Sequence, residues 1–304
     1  MKKSKNMGSL QVFGPRALYE FSVPSPGELF SETNFTIVPP EGGWLGSQAK
    51  PLRQADLYVL MEPERYSREF ISRLPRPLWL WSLERLVTGE EDDLERTPAL
   101  ARQAVSRIEK VRAALTSIPV KDYDLLIVPD LGAQKYLSSV GHRCILSPPA
   151  VNESLFGLAN NGGEESVFAT FNTESDYRNL YTQGLEVSVQ QLGVETIVPE
   201  GIRSVLSGVT HGINLGQTAV RDFPLEAALH LAMGHTLISE PLDPKHGLEP
   251  GIDYFEVTSV PELFHVTNYV GRNPGTTKLM AYRGSQKAKY FGADRVFSDL
   301  LRQA

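Results

Sequence analysis

Arg221-Asp-Phe-Pro-Leu-Glu-Ala-Ala-Leu-His-Leu-Ala-Met-Gly-His-Thr-Leu-Ile-Ser239, followed by Leu248-Glu-Pro-Gly-Ile-Asp-Tyr-Phe255, decides the fold reading. The first run is rich in alanine and leucine and ends at Gly234, the residue that most often closes a helix in the left-handed conformation. Thr236-Leu-Ile-Ser239 is then short, apolar and bounded by polar residues, as a buried strand is. Glu249-Pro-Gly251 is a turn, and the chain re-enters a second short strand at Tyr254-Phe255. Helix, strand, turn and strand in this order make one α/β unit of a nucleotide-binding-like domain.

The same alternation runs outward through the chain. Leu10–Phe13, Asp56–Met61, Leu78–Trp81, Tyr123–Val128 and Arg143–Leu146 are apolar runs of four to six residues and predict strands. Arg65–Leu74, Thr97–Ile118 and Gly132–Val140 predict helices between them. In the longest of these, Ala101, Val105, Ile108, Val111, Ala114 and Leu115 recur at helical spacing. After the linker-like Asn160-Asn-Gly-Gly-Glu-Glu165 the pattern restarts. It predicts strands at Ser166–Phe171, Glu195–Val198 and Ile213–Leu215, and helices at Asp176–Gln191, Gly201–Leu206, Phe223–Met233, Val260–Tyr269 and Thr276–Leu301.

The expectation is an α/β protein of two Rossmann-like doubly wound domains, residues 1–158 and 159–304, facing across a cleft, with the last helix free to pack back on the first domain. A chain of 304 residues has room for two such cores.

Composition excludes several classes. The net charge of −6 advertises no overall basic field for nucleic acid or anionic lipid and leaves a local basic groove open. The basic start, Met1-Lys-Lys-Ser-Lys-Asn6, is not followed by an apolar run of leader length, and no 18-residue apolar stretch exists. The single cysteine, Cys144, forbids an internal disulfide and fits a reducing compartment. A cytoplasmic protein is therefore expected, with Cys144 an inert strand residue or, alternatively, a reactive thiol. There is no G-x-G-x-x-G fingerprint, no P-loop, no G-x-S-x-G elbow and no H-E-x-x-H. His230, His235 and His246 do not have metal-ligand spacing.

What remains is an anion-binding arrangement. The loop Gly216-Gln217-Thr218-Ala-Val220 leads into a helix N-terminus, whose free N–H groups and dipole favour a phosphate. Arg221 stands just before that helix and Arg178 after the first strand of the second half; either can add charge-assisted hydrogen bonds or form a structural ion pair. Asp222 is read as the N-cap and Pro224 as a first-turn residue. Asp222, Glu226 and His230 lie on one helical face, as a solvated or intrahelically paired stripe or as a ligand contact through Glu226.

His211 follows a probable strand and is either a cleft-facing group, for phosphate contact or proton transfer, or a satisfied structural histidine. Glu84, with Ser82 at the carboxyl end of the Trp79/Trp81 strand, is either an acid/base candidate or a carboxylate at a helix start. Gly14-Pro-Arg16 and Pro39-Pro-Glu-Gly-Gly-Trp44 are further loops on that side.

The second half resembles the C-terminal domain of GT-B glycosyltransferases, specifically the bacterial and phage group similar to spore-maturation-type (glycosyltransferase group 1-like) enzymes. Phe168-Ala-Thr-Phe-Asn172 with Tyr177-Arg178 resembles that domain's first strand and loop. His211-Gly-Ile-Asn-Leu-Gly216 resembles the strand before the donor helix, and Phe223–Gly234 resembles the donor helix. Glu249-Pro-Gly-Ile-Asp-Tyr-Phe255 and Ser259-Val-Pro-Glu-Leu263 resemble the turn and helix start that follow. Tyr136-Leu-x-x-x-Gly141 and Leu146-Ser-Pro-Pro-Ala-Val-Asn152 resemble the end of the family's first domain. The resemblance spans most of residues 120–300.

It implies a metal-independent transferase with no cofactor and a nucleotide-sugar as co-substrate. The donor would be held by Asn172, Arg178, Gly216, Gln217, Thr218, Arg221 and Glu226, with Glu84 and His211 as catalytic candidates. The acceptor, placed by the first domain, is open between glycan, protein, metabolite and modified nucleobase. The chain departs from the family where retaining members carry two carboxylates eight positions apart: counted back from Gly234, those positions hold Leu229 and Arg221. A leucine cannot accept the ribose hydrogen bonds. A GT-B-like binding or scaffolding protein is therefore the alternative, and another sugar-nucleotide enzyme such as an epimerase the third reading.

Overall fold

The structure is a computed structural model that describes residues 7–40, 54–84, 86, 98–159, 166–172, 185, 189–193, 204–215 and 223–304, with side chains left out at 7, 98–104, 172, 193 and 274. The chain divides into two compact units: residues 1–88, 105–153 and 293–304 form the first, and 89–104 with 154–292 the second.

Among the described residues the first unit has six parallel strands: β1 (Met7–Gly14), β2 (Phe30–Ile37), β3 (Leu57–Met61), β4 (Leu78–Trp81), β5 (Leu125–Val128) and β6 (Cys144–Leu146). Their spatial order is β2-β1-β3-β4-β5-β6. The apolar runs read from sequence form β1 and β3–β6. The residues of β3, β4 and β5 are buried throughout, as expected for strands covered on both faces.

β2 has no counterpart among the predicted strands. It is an edge strand with β1 as its partner, and Ser31, Glu32, Thr33, Asn34 and Thr36 keep it polar, so no apolar run marks it. Helices α1 (Arg68–Ser72), α2 (Pro98–Ser117) and α3 (Leu131–Ser139) flank the sheet. Phe70, Ile71, Leu115 and Leu137 pack with Phe13, Leu60, Leu80 and Val128 on one face. Cys144 is half-buried, and burial pushes its thiol up to about 11, which makes it a poor nucleophile.

Among the described residues the second unit has five parallel strands: β7 (Phe168–Asn172), β8 (Val189–Gly193), β9 (His211–Asn214), β10 (Thr236–Ser239) and β11 (Phe255–Glu256), in the order β11-β10-β9-β7-β8. Residues 189–191 are thus strand, not the end of a helix as predicted; the rest of the predicted helix 176–191 lies mostly outside the described residues, and the predicted strand 195–198 entirely so. The helices are α4 (Leu225–Met233), α5 (Val260–Arg272) and α6 (Pro274–Ala288), while α7 (Ala293–Gln303) belongs to the first unit.

The predicted single helix 276–301 is two helices. A 3-10 turn at Lys289–Phe291 and Gly292 interrupts it. The Ala293 N–H donates to the Val151 carbonyl, and the Asp294 N–H to Glu153 Oε1, so α7 starts on its own caps within the first unit. There its Phe297 packs on Phe30 and Trp81. Among the described residues no helix is long and apolar enough to cross a membrane.

α4 is the helix of the opening stretch. Eight of its nine residues are buried, Glu226 being the exception, so it is a core helix and not a surface one. It ends at Gly234, whose φ of 88° lets its N–H reach the carbonyls of His230 and Leu231. Its start corrects the sequence reading. Pro224 occupies the N-cap in extended conformation with no side-chain cap, so Asp222 is not the N-cap and lies outside the described residues. His230 is fully buried and Glu226 half-buried, so these two do not share a solvated stripe.

Candidate functional site

In a parallel sheet wound in two directions, ligands bind beyond the strand carboxyl ends where the winding reverses. In chain order the second unit's strands run 2-1-3-4-5, so the reversal falls between β7 and β9. The chain leaves the sheet there at Asn172 and at Asn214-Leu215. Arg178 follows the first exit; Gly216, Gln217, Thr218 and Arg221 follow the second, before α4 begins. These five residues lie outside the described residues, as does the side chain of Asn172. Glu226 is described: it is half-buried, in the first turn of α4.

The strand ends beside this point carry a polar layer. Asn214 and Ser239 are register partners on β9 and β10, and Asn214 Nδ2 donates to Ser239 Oγ at 2.9 Å. The Ser239 hydroxyl in turn donates to the Glu240 carbonyl at 2.7 Å. On the next strand Tyr254 OH donates to Glu256 Oε2 at 2.7 Å.

The Glu249-Pro-Gly251 turn is satisfied from within. The Glu249 N–H donates to Asp253 Oδ2 at 2.8 Å, and Lys287 of α6 reaches the same oxygen at 2.6 Å and Glu249 Oε1 at 3.1 Å. Asp253 is buried, and its carboxylate raises the Lys287 pKa. Removing the ammonium leaves a buried carboxylate held mainly by one backbone N–H. Lys287→Met is therefore expected to destabilise the second unit by about 2 kcal/mol, less than a wholly buried pair because Lys287 is a third exposed. Urea unfolding measures this, and an unchanged midpoint would show that the turn does not depend on the lysine.

His211 is not where the sequence reading put it. It opens β9 rather than following a strand, and pairs in register with Phe168 and Thr236, the first residues of β7 and β10. It therefore sits at the amino end of the sheet, away from the strand ends that bind ligands. Its Nδ1 lies 2.6 Å from Thr210 Oγ1, its ring stacks on Phe168, and burial lowers its pKa to about 4.

A histidine pair nearby was not anticipated. His230 and His235 are fully buried with their Nδ1 atoms 2.9 Å apart. Among the described residues no group of three or more His, Cys, Asp or Glu side chains is placed to hold a metal ion.

The first unit has its own reversal, between β1 and β3, and a charged cluster gathers at the adjacent strand ends. Glu62 follows β3 in left-handed conformation, φ 50°, and is buried. Arg16, just after β1, reaches its Oε1 at 3.3 Å, and Arg65 its Oε2 at 2.9 Å. Glu84, just after β4, is clasped by Arg107 of α2 through two hydrogen bonds, Nε to Oε2 at 3.1 Å and Nη2 to Oε1. Glu84 is thus an ion-paired carboxylate.

Between them lies Glu64, which sequence reading did not single out. Neither of its carboxyl oxygens is accessible or has a hydrogen-bond partner. Burial, and then the negative charges of Glu62 and Glu84, hold its pKa well above the usual carboxylate range; the nearby Ser82 hydroxyl offsets this in small part. The only hint in the sequence was the density of charge in Glu62-Pro-Glu-Arg65 directly after an apolar strand.

No family model and no curated protein sequence matches the chain. Solved structures do. HepE of Anabaena, in complex with UDP-glucose, superposes with a TM-score of 0.55 at 13% identity over 98% of this chain and 99% of that one. The sucrose-phosphate synthase of Thermosynechococcus elongatus gives 0.54 at 13% identity over 81% and 73%. An alpha-glucosyltransferase in complex with UDP-glucose and DNA containing an abasic site gives 0.50 at 7% identity over 98% and 99%. At these identities the likeness establishes the fold: the chain has the two-sheet α/β architecture of GT-B glycosyltransferases.

Proposed function

We propose that the chain is a glycosyltransferase that takes its sugar from a nucleotide-activated donor, bound by the second unit, without a metal ion. The observation that carries this is the strand order of that unit. Its reversal point lies between β7 and β9, and the loops leaving those two strands hold Arg178 and Gly216–Arg221, the residues the sequence marks for phosphate. Structures of the same fold, among them HepE, contain UDP-glucose.

In this reading the diphosphate meets the loop N–H groups of Gly216, Gln217 and Thr218 and the guanidinium groups of Arg221 and Arg178. Asn172 borders the same site. Glu226, the least buried residue of α4, accepts hydrogen bonds from the ribose. Preorganised positive charge at the diphosphate stabilises it as it leaves. The acceptor is bound by the first unit.

Titration calorimetry with UDP, GDP, CMP and TDP, with and without sugar, tests this. One nucleotide is expected to bind, and Arg221→Ala to weaken it by about 10- to 100-fold, the worth of hydrogen bonds to a charged group. Absence of binding by all four would sink the reading. A second reading, binding without catalysis, is favoured by Leu229: it is fully buried and stands where retaining enzymes of the resembled family carry their second carboxylate. Free nucleotide released from the bound donor argues for the enzyme; tight binding with no turnover argues for the second reading.

A further inference from the structure

One segment of this acidic chain carries charge of the opposite sign alone. From Leu263 to Ala293 there is no Asp or Glu, and there are five basic residues: Arg272, Lys278, Arg283, Lys287 and Lys289. The segment is +5 where the whole chain is −6, so the remainder is −11. All but Arg272 belong to α6 and the 3-10 turn that follows it.

Packing fixes which face of α6 is outward. Thr277, Met280, Ala281 and Ala288 are buried, and a methyl group on Gly284 would stand 2.7 Å from the Asp253 carbonyl oxygen. Along the centre of the opposite face run Leu279, Tyr282 and Gln286, at helical spacing. Leu279 is 51% exposed and Tyr282 62%. At about 100° per residue, Lys278 and Arg283 flank this stripe on opposite sides. Lys289 reaches back to Gln286 Oε1 at 2.7 Å, which joins the turn and its exposed Tyr290 to the same surface.

The flanking cations are uncommitted. The ion pairs of this unit engage Lys245 and Lys287, and among the described residues none engages Lys278, Arg283 or Lys289. An occupant has to offer negative charge at the flanks and apolar contact at the centre. A DNA backbone offers the first and gives Leu279 and Tyr282 nothing to bury against. A second copy, related by a two-fold axis, sets these cations against their own kind. A lipid surface meets both needs, with anionic headgroups for Lys and Arg and an acyl boundary for leucine and the tyrosine ring.

We propose that the outward face of α6 rests on an anionic membrane surface, with Leu279 and Tyr282 at the acyl boundary and Lys278, Arg283 and Lys289 among the headgroups. The contact is peripheral and reversible. It goes beyond the donor reading and does not depend on it: failure of every nucleotide to bind would leave a vesicle result standing.

Co-sedimentation of the full chain with vesicles tests it. Vesicles of equal parts phosphatidylglycerol and phosphatidylcholine are expected to carry the protein down at low salt and release it at high salt, and phosphatidylcholine alone to leave it in solution. Each headgroup-facing charge contributes about fivefold, so Lys278→Gln/Arg283→Gln is expected to lower partitioning by about 25-fold. Lys121→Gln/Lys135→Gln removes two exposed cations of the first unit and should leave it unchanged. Leu279→Ser/Tyr282→Ser keeps every charge and is expected to cost about tenfold.

All these side chains are exposed, so circular dichroism should match wild type throughout. Duplex DNA or polyglutamate at the same charge concentration should not displace the protein from vesicles. No sedimentation with anionic vesicles, equal loss in the Lys121/Lys135 variant, unchanged partitioning of the Leu279/Tyr282 variant, or displacement by either polyanion would each overturn the proposal.

Discussion

Gly212→Ala is expected to prevent the second unit from folding stably. Gly212 lies inside β9, directly beneath the His230 ring of α4. A methyl group there would stand 2.6 Å from the ring's Cδ2 and closer still to Cγ and Nδ1. The ring has nowhere to go: it is fully buried, its Nδ1 is hydrogen-bonded to His235 and Phe171 packs on it at 4.8 Å. Overpacking a rigid core costs about 1–3 kcal/mol, and displacing His230 leaves His235 without its partner for about 1–3 more.

The sum, about 2–6 kcal/mol, is a large share of a typical domain's stability. Urea unfolding followed by circular dichroism measures it. The double variant Gly212→Ala/His230→Ala should be less destabilised than the two single losses added, since the clash disappears with the ring. A Gly212→Ala protein with the wild-type midpoint would show that helix and strand do not meet this closely.

Lowering the pH from 7 toward 4 is expected to unfold the second unit before the first. His211, His230, His235 and His246 all belong to it. Burial holds His211 and His246 at about 4, against an ordinary value near 6.5. In the pair, the geometry explains the direction. The Leu206 carbonyl can only accept, so His235 Nε2 at 3.0 Å carries the proton and its Nδ1 is bare. His230 Nδ1 then donates to it, and His230 Nε2 is left buried without a partner. A further proton has to sit either on that isolated nitrogen or between two facing Nδ1 atoms, so both pKa values fall.

The sign follows. Below 6.5 the unfolded chain binds protons that the folded unit refuses, so stability is complete above about 6.5 and is lost as pH falls toward the folded values. A shift of this size is worth up to about 3 kcal/mol for His211 alone. In the first unit Glu64, Glu153 and Asp294 are shifted upward by burial, which favours folding in acid and opposes the effect of its one depressed histidine, His142.

The chain offers a convenient probe, because its three tryptophans, Trp44, Trp79 and Trp81, all lie in the first unit. Circular dichroism should lose signal between pH 6 and 4 while tryptophan fluorescence lags behind. Coincident transitions, or full structure at pH 4, would contradict the neutral histidine cluster.

The parallel α/β architecture was legible from local pattern. The apolar runs of β3, β4, β5 and β10 mark themselves because both sheet faces are covered, and Gly234 marks the end of α4 because little else fits a left-handed C-cap. The loop proposed to hold the donor, Gly216 to Arg221, was marked by sequence alone, as a contiguous segment before a helix. β2 was not, since an edge strand is allowed to be polar. His211 was misplaced because Thr210-His-Gly-Ile does not reveal at which residue pairing begins.

The state of the charged groups was beyond any reading of the sequence. Glu62, Glu64 and Glu84 have the same chemistry in the one-dimensional chain. Only the tertiary structure brings Arg16 from 46 residues away and Arg107 from 23 to neutralise two of them and leave the third without a partner. Likewise nothing in Leu229-His230-Leu231 or Gly234-His235-Thr236 says that two rings meet nitrogen to nitrogen over a glycine. Periodicity is carried by neighbours a few positions apart, so the chain alone determined the two parallel sheets. Charge, tautomer and accessibility depend on which distant side chains arrive, and those were decided by packing.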